Sequence, residues 1–383
     1  MKIKFYSESP DPGPGGAEQF IAVLAEALSG AHEVCIVHHK TEESAREWGA
    51  YAGCDLSRVK FRHVPRMDDD SLREKKWWRR YRAAKLWRRE LSEECDLFIA
   101  LLHNRPPFCQ ARRGVMIVLF PTYQPAREGI LDPPVVRKFY QRWEWKRRVA
   151  SYSVKLSISD FSRRWTRARW GFGSELLHPP VALPPNESTA KENCILSVGR
   201  FATTGHTKKQ LELLQMFAEL RRDLPGWSYS NVGGLNDWPN DRIYFERCSD
   251  FRDGTTIAVE ANVERAELDR LYDRAKIFWH AAGLGDDHER QPEMAEHFGL
   301  VTVEAMAHGC VPIVIRLGGQ PEIVEHGVSG FLFDSLGELA AHTRTLAHDP
   351  ALLARMSVAA RKRAQLFSRE ACVANLRRYL KME

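Results

Sequence analysis

The sequence EHFGLVTVEAMAHGCVPIVI, residues 296–315, joins a polar turn to a helix and then to an apolar strand. The residues EHFG are typical of a loop, and from Leu300 the apolar and polar residues alternate with the spacing of a helix, which Gly309 ends. The run VPIVI then has the composition of a buried strand. The segment therefore predicts part of an α/β fold, with Glu296 just ahead of the helix and Glu304 on it.

These two carboxylates flank a predicted helix start. The free backbone N–H groups there suit an anion such as a diphosphate, and carboxylates accept hydrogen bonds from sugar hydroxyls. A phosphate that carries a sugar on each end is a nucleotide sugar. The residues alone thus favour a nucleotide-sugar site, although two glutamates at this spacing also arise by chance.

Length and composition indicate two domains. A chain of 383 residues exceeds what one core usually organises, so we expect two domains of roughly equal size. No apolar run approaches the roughly 20 residues that span a bilayer, and the amino-terminal sequence lacks the apolar core of a signal peptide. The eight cysteines are scattered without a C-x-x-C pair. These features predict a cytoplasmic protein with reduced thiols.

The net charge of +6 is unevenly distributed, with +9 before residue 190 and −3 after it. Most of the excess lies in residues 73–90 and 137–148, where Trp and Tyr alternate with Arg and Lys. Such helices suit the surface of an anionic membrane, but they equally suit solvated helices whose aromatic residues face the core. We expect no nucleic-acid partner, because no nucleic-acid motif accompanies the charge.

Strands and helices alternate in both halves of the chain. The first half begins with a strand, KIKFY, then a glycine loop and a helix that ends at Gly30, and it continues with apolar strands. Residues 179–190 are polar and proline-rich and are typical of a connection. We therefore predict one domain over residues 1–178 and a second over residues 191–368, each with a doubly wound sheet.

The combination of EHFG, EAMAHG and GGQPEIV, the last at residues 318–324, resembles the retaining GT-B glycosyltransferases of family 4 and their E-x7-E signature. The resemblance is specific from Cys194 to Asp334 and general over residues 1–190. It implies two Rossmann-like doubly wound domains that face a cleft, with the donor in the second domain and the acceptor in the first. It also implies that a helix at about 369–383 crosses back onto the first domain.

The resemblance assigns roles to four charged residues. Glu296 would bind the hydroxyls of the donor sugar and Glu304 the ribose, while Arg200 and Lys208 would hold the diphosphate leaving group. An arginine fork and a compact ammonium can together stabilise charge that develops on a departing diphosphate, but ordinary surface cations would have the same pattern. Lys209 is the neighbouring candidate. No nucleophile is evident, and the resemblance implies same-face displacement in which the leaving phosphate oxygen helps to deprotonate the acceptor.

Further candidates follow from the same resemblance. His280, in the segment WHAAG, is either an active-site residue or a buried strand-end histidine. Gly15 and Gly16 resemble the family's first glycine loop, although a plain turn has the same sequence. The remaining donor-binding candidates are residues whose backbone lies at predicted loop or helix starts, namely Val263, Phe298, Gly299 and Leu300.

One departure concerns a histidine that many relatives carry after the strand GVMIVLFP. Here Val118, Leu119 and Phe120 occupy that strand end. In those relatives the histidine helps to orient the sugar. His103 follows the preceding strand, and we assign this role to His103, with a structural role as the alternative.

Neither a metal nor a further cofactor is expected. Asp68–Asp70 lie in a polar turn, and Asp286 and Asp287 lie in a polar loop with no strand to present them to a phosphate. The resemblance likewise implies transfer without a metal.

The sequence thus predicts an enzyme that transfers a hexose from a nucleotide sugar to a saccharide or lipid-linked acceptor, as in polysaccharide biosynthesis. GDP-mannose is the favoured donor and a UDP-hexose the next. If the two basic aromatic segments lie on lipid rather than pack their aromatic residues into the core, the protein contacts the inner face of the membrane peripherally. The alternatives are a UDP-sugar epimerase of the same fold and a non-catalytic protein that binds nucleotide sugars.

Overall fold

The computed structural model describes residues 1–8, 15–39, 45–64, 82, 86–87, 89–122, 135–184, 190–204 and 207–382. The acidic run 68–70 and most of the basic segment 73–90 lie outside the described residues. Contacts divide the chain into two compact units. Unit 1 comprises Met1–Pro180 together with the residues from Cys372 onwards, and unit 2 comprises Val181–Ala371.

Unit 1 contains a parallel sheet of seven strands in the order β3-β2-β1-β4-β5-β6-β7. The strands are β1 (Lys2–Ser7), β2 (Glu33–His38), β3 (Val59–His63), β4 (Leu97–Leu102), β5 (Arg113–Val118), β6 (Val154–Ser157) and β7 (Glu175–Leu176). The helices of the described part are α1 (Gly16–Ser29), α2 (Ala45–Ala52), α3 (Val135–Ala150) and α4 (Asp160–Trp165), followed by a π-helix over Thr166–Trp170.

Unit 2 contains a parallel sheet of six strands in the order β10-β9-β8-β11-β12-β13. The strands are β8 (Glu192–Val198), β9 (Ser228–Gly233), β10 (Ile257–Ala261), β11 (Ala275–His280), β12 (Val311–Ile315) and β13 (Phe331–Phe333). The α-helices that begin in this unit are α5 (Gln210–Leu220), α6 (Pro239–Ser249), α7 (Arg265–Arg274), α8 (Leu300–Ala307), α9 (Gln320–Ile323), α10 (Leu336–His348), α11 (Pro350–Ala364) and α12 (Arg369–Leu380).

The predicted fold class, two doubly wound parallel α/β domains, is confirmed. In each sheet the strand order reverses beside the first strand: β1 lies between β2 and β4, and β8 between β9 and β11. Ligands of such sheets bind outside the carboxyl ends of the strands at this reversal. The topology therefore directs attention to the loops that follow β1, β4, β8 and β11.

The sequence patterns located most strands, because long apolar runs are buried on both faces of a parallel sheet. Helix α7 runs from Arg265 to Arg274. The polar turns of RAELDRLYDR weaken its apolar pattern. Helix α6 was not predicted. Ile243 on this helix and Trp238, which directly precedes it, are both exposed. A helix with little buried surface leaves only a faint signal in the sequence.

The core of unit 2 supports the two strands at the reversal. Phe217, Tyr229 and Trp279 are fully buried and contact one another. The indole N–H of Trp279 donates to the hydroxyl of Thr343 at 3.1 Å. Aromatic residues with a satisfied polar atom make a rigid base, so the next residue of β11, His280, has a fixed position. None of the described helices is both long enough and apolar enough to cross a membrane.

Candidate active site

The end of β8 is held in a tight turn beside β9. The N–H of Gly199 donates to the carbonyl of Val232 at 2.9 Å, and a Cβ on Gly233 would lie 1.8 Å from the carbonyl oxygen of Gly199. The side-chain amide of Gln210 donates to the carbonyls of Gly199 and Arg200 at 3.1 and 2.9 Å. These contacts fix the backbone of Arg200, whose side chain is exposed.

The carboxylate of Glu296 is the centre of a compact polar cluster. Lys208 Nζ donates to Glu296 Oε2, and His280 Nε2 lies 3.2 Å from the same oxygen. The side chains of Lys208 and Glu296 are mostly buried, and His280 is 2% exposed. Lys208 lies 88 positions before Glu296 in the sequence, and His280 lies 16 positions before it. The fold brings both side chains to one oxygen atom of Glu296.

The surroundings of His280 favour its neutral form. Burial lowers the pKa of its imidazole below the ordinary value, and the attraction of the Glu296 carboxylate offsets this only in part. A neutral ring carries one N–H. His280 is therefore a buried strand-end histidine that also lies 3.2 Å from the predicted donor-binding carboxylate, and its role in an active site stays a prediction.

Two glycines let the loop after β12 approach the backbone of the EHFG loop. The N–H of Gly319 donates to the carbonyl of Glu296 at 2.8 Å. A Cβ on Gly318 would lie 2.0 Å from that carbonyl oxygen, and Gly318 has a φ of +64°. A side chain at either position would displace the loop, so GGQPEIV places the backbone of Glu296.

Helix α8 begins without a side-chain cap. Its N-cap residue is Gly299, which has a φ of +120°, and its first turn contains no acidic residue. The backbone bonds of the helix begin with Thr302, whose N–H donates to Gly299 at 3.0 Å. A helix start leaves its first N–H groups without intrahelical partners, and those of Gly299 and Leu300 belong to this turn. The arrangement suits an anion.

Glu304 is held by two donors of its own. Arg265 Nη1 donates to Oε1 at 2.8 Å and the hydroxyl of Tyr272 donates to Oε2 at 3.1 Å. Glu304 is 6% exposed. Burial, and then the charge of Glu304, raise the pKa of Tyr272 well above its ordinary value, so the hydroxyl keeps its proton. Each carboxylate oxygen has a second lone pair, with which Glu304 can accept ribose hydroxyls.

The two adjacent lysines have different partners. Lys208 pairs with Glu296, whereas Lys209 Nζ lies 3.0 Å from Asp286 Oδ1. Lys209 has a left-handed backbone, with a φ of +57°, and caps α5, which starts at Gln210. The structure therefore places Lys208 in the Glu296 cluster and Lys209 against the loop after β11.

The other donor-binding candidates of unit 2 offer backbone rather than side chains. Phe298 is 3% exposed and its ring contacts Phe367 at 5.6 Å between centroids. Val263 lies between β10 and α7, next to Asn262, which bridges to the backbone of Leu235 at 2.8 Å. Their assignment to the donor stays a prediction.

In unit 1 the corresponding strand ends hold carboxylates. Glu8 Oε1 accepts from the N–H groups of His103 and Asn104. Glu18, on the first turn of α1, accepts from the N–H of Gly15 at 2.9 Å. His103 thus follows β4 as predicted, while its role towards a substrate stays a prediction, as do those of Gly15 and Gly16.

No group of three or more His, Cys, Asp or Glu side chains in the described part of the chain is arranged to hold a metal ion. Of the acidic residues in the loop after β11, Asp286 pairs with Lys209 and Asp287 lies 3.6 Å from Arg290.

Three residues of the site were not singled out in the sequence: Arg265, Tyr272 and Gln320. Gln320 Nε2 lies 3.3 Å from His280 Nδ1. Arg265 and Tyr272 lie on α7, which follows the donor-binding candidate Val263 by two residues. Gln320 belongs to GGQPEIV, and its position directly after two glycines was the one available signal.

Residues 183–363 match the family model described as Glycosyl transferases group 1, and the match lies within unit 2. An alpha-1,3/1,6-mannosyltransferase of Mus musculus is 30% identical over 200 residues, which are 50% of this chain and 45% of that protein. A D-inositol 3-phosphate glycosyltransferase of Streptomyces avermitilis is 43% identical over 79 residues, 20% of this chain and 17% of that protein. The chain therefore matches less than half the length of these relatives.

Solved structures share the fold over the whole chain. Sucrose-phosphate synthase of Thermosynechococcus elongatus superposes with a TM-score of 0.69 and 17% identity, covering 100% of this chain and 98% of that one. HepE of Anabaena, solved in complex with UDP, superposes with a TM-score of 0.68 and 16% identity, covering 100% of both chains. At these identities the likeness shows the two-domain GT-B fold.

Proposed function

We propose that the protein, whose residues 183–363 match the family model of Glycosyl transferases group 1, is a retaining hexosyltransferase that uses a nucleotide sugar. The observation that carries the proposal is the Glu296 cluster at the start of α8. A carboxylate that Lys208 and His280 contact beside an uncapped helix start can accept sugar hydroxyls on one side and leave the helix N–H groups to a diphosphate.

Two cations, Lys208 and Arg200, are proposed to stabilise the diphosphate leaving group. The ammonium of Lys208 and the guanidinium of Arg200 carry the charge that a departing diphosphate needs as the glycosidic bond breaks. Lys208 is already paired with Glu296, and an ammonium has three N–H donors. It can therefore contact a phosphate oxygen while it keeps its bond to the carboxylate. Glu304, with Arg265 and Tyr272, is the proposed ribose site.

The proposed reaction is a same-face displacement. The bond between the anomeric carbon and the phosphate oxygen breaks as the acceptor oxygen bonds to that carbon. The acceptor proton passes to the leaving phosphate oxygen, which becomes the nucleoside diphosphate. The resemblance to retaining family 4 enzymes supports this course, and it needs no protein nucleophile. Unit 1 is the proposed acceptor domain, with His103 and its glycine loop as candidates for contact.

GDP-mannose is the proposed donor and a UDP-hexose the next candidate. The mannosyltransferase relative of Mus musculus supports the first. The structure of HepE in complex with UDP supports the second. The acceptor is proposed to be a saccharide or a lipid-linked saccharide.

Thermal unfolding with GDP, UDP, ADP and TDP in the absence of metal tests the donor class. A ligand that binds only the folded protein raises the melting temperature, by an amount set by its concentration relative to Kd. We expect the largest rise with GDP. A larger rise with UDP would replace GDP-mannose by a UDP-hexose, and no rise with any nucleotide would overturn the proposal. Proton NMR of the product anomer then tests retention.

A lipid-linked acceptor would bring the enzyme to the inner face of the membrane, and helix α3 supports this part of the proposal. Its described residues include an exposed set of three cations and a tryptophan, namely Arg142, Trp143, Lys146 and Arg147. The guanidinium of Arg147 lies over the Trp143 ring, 4.9 Å from its centroid. Tryptophan and basic residues on one helix suit an anionic lipid surface.

Sedimentation with anionic and neutral liposomes tests that contact. We expect binding to anionic vesicles that falls with added salt and that is lost when Arg142, Lys146 and Arg147 are all replaced by Glu. The same triple replacement on exposed cations of unit 2 (Arg222, Arg270 and Arg290) is the control. Equal binding to neutral vesicles, or no binding at all, would remove the membrane from the proposal and favour a soluble acceptor.

A further inference from the structure

A buried amide contacts His280 on the side of the ring that faces away from Glu296. Gln320 is the first residue of α9 and is 0% exposed. Its Nε2 lies 3.3 Å from Nδ1 of His280, while Nε2 of His280 lies 3.2 Å from Oε2 of Glu296. Gln320, His280 and Glu296 therefore form a chain of contacts that ends on the proposed sugar-binding carboxylate.

The direction of this chain follows from which atoms can donate. An amide nitrogen only donates, so Nδ1 of His280 accepts and the ring proton lies on Nε2. The ring proton is then on the nitrogen that lies 3.2 Å from Oε2 of Glu296. If the amide were flipped, its oxygen would face Nδ1, and Nδ1 would have to carry the ring proton. The unprotonated Nε2 would then lie 3.2 Å from a carboxylate oxygen, and both of these atoms are acceptors.

The glycines around Gln320 keep this amide in place. A Cβ on Gly299 would lie 2.7 Å from Gln320 Nε2, so the glycine at the start of α8 leaves room for the amide. Gln320 also directly follows Gly319, whose N–H binds the carbonyl of Glu296. The GGQPEIV loop thus reaches Glu296 through its backbone and, by way of His280, through a side chain.

We propose that Gln320 is a positioning residue, which fixes the tautomer of His280 and thereby the orientation of the Glu296 carboxylate towards the donor sugar. The inference rests on the proposed function. His280 and Lys208 meet the same oxygen, Oε2. These two contacts on one oxygen restrict the rotation of the carboxylate, and with it the direction in which the group accepts sugar hydroxyls.

The hydrogen bonding of Gln320 argues against a purely stabilising role. Its Oε1 is buried and has no hydrogen-bond partner among the residues that the structure describes. A buried amide that leaves its oxygen unbonded gains little stability over an apolar side chain of similar size. We therefore expect Gln320→Leu to fold, and Gln320→Met, unbranched and of similar length, serves as a second variant.

The first test reads the tautomer without any substrate. Long-range ¹H–¹⁵N NMR of the histidine rings distinguishes a bare from a protonated ring nitrogen, and the signals missing from His280→Gln identify His280. We expect a bare Nδ1 and a protonated Nε2 in the wild type, and a mixture of tautomers in Gln320→Leu. A protonated Nδ1 in the wild type, or an unchanged ring in both Gln320 variants, would overturn the inference.

The second test separates the sugar from the nucleotide by calorimetry. GDP lacks the sugar that Glu296 would contact, so Gln320→Leu should bind GDP with the affinity of the wild type. The Kd of this variant for GDP-mannose should rise about tenfold. Gln215→Leu, at an exposed position on α5, is the matched control. Equal losses for both ligands would indicate a structural role and overturn the inference.

Failure of the proposed function and failure of the positioning role of Gln320 give different results in these tests. If neither GDP nor UDP binds the wild-type protein, the proposed function is wrong, and the ring tautomer still decides whether Gln320 controls His280. If the nucleotides bind and the Gln320 variants bind the nucleotide sugar as the wild type does, the proposed function stands and the positioning role of Gln320 is rejected.

Discussion

The first strands of the two sheets, β1 and β8, occupy the same place in the same strand order, yet their carboxyl ends carry opposite charges. In unit 1 the carboxylates of Glu8 and Glu18 accept from backbone N–H groups. In unit 2 the cations Arg200 and Lys208 follow the strand, and α8 begins without an acidic first turn. Strand order thus determines where a ligand binds, and the side chains determine which ligand.

An anion would be received differently at the two places. In unit 1 it would compete with internal carboxylates for the same N–H groups and be repelled by them, whereas in unit 2 it would meet cations and an uncapped helix. The comparison therefore favours unit 2 as the place of the proposed diphosphate.

The largest effect is expected from Gly318→Ala in unit 2. The new Cβ would meet the carbonyl of Glu296 at 2.0 Å in a left-handed backbone, so we expect a loss of about 3 kcal/mol from overpacking and backbone strain. Gly171→Ala in unit 1 is the matched control, because it has a φ of +76° but no atom within 4 Å. Urea unfolding measures both, and equal losses would show that the close approach to Glu296 contributes nothing.

The next effect is on transfer. Glu296→Ala removes the carboxylate that Lys208 and His280 hold, and we expect transfer to fall at least about a hundredfold, since hydrogen bonds to a charged group are worth roughly 1.5–3 kcal/mol each. Initial rates with the donor identified by the nucleotide panel measure this. Affinity for the nucleoside diphosphate should change little. Near-normal turnover would remove Glu296 from the site.

A smaller effect distinguishes the two lysines. We expect Lys208→Ala to weaken binding of the nucleoside diphosphate by about tenfold, the value of one charge-assisted contact to phosphate. Lys209→Ala, which breaks only the pair with Asp286, should weaken it by less than about threefold. Calorimetric titration of both variants decides. The reverse order would make Lys209 the phosphate ligand.

The smallest effect is expected in unit 1. Glu18→Gln keeps the shape of the side chain but weakens its bond to the N–H of Gly15, so the free energy of unfolding should fall by up to about 1 kcal/mol. Nucleotide affinity should stay unchanged. A change in nucleotide affinity as large as that of Lys208→Ala would place the diphosphate near Gly15 and Gly16, and the contrast between the units would be lost.

Much of the fold and part of the site were predictable from local patterns. Apolar runs located β8, β11 and β12, and the sequence from Leu300 located α8, because both signals lie within one element. Helix α6 was not predicted, because it buries few apolar side chains and its sequence has little helical periodicity. Gln320 could not be linked to His280 in the same way, since forty residues separate them and no local pattern records which strand ends become neighbours.

Local patterns predicted the two α/β domains, the position of Glu296 before a helix, and the glycine pair of the GGQPEIV loop. The folded chain shows in addition that Lys208 and His280 contact one oxygen of Glu296, that Arg265 and Tyr272 hold Glu304, and that Lys209 pairs with Asp286. The physical reason is range: periodicity and turn chemistry act over a few residues, whereas these hydrogen bonds form only after parallel strands distant in sequence align.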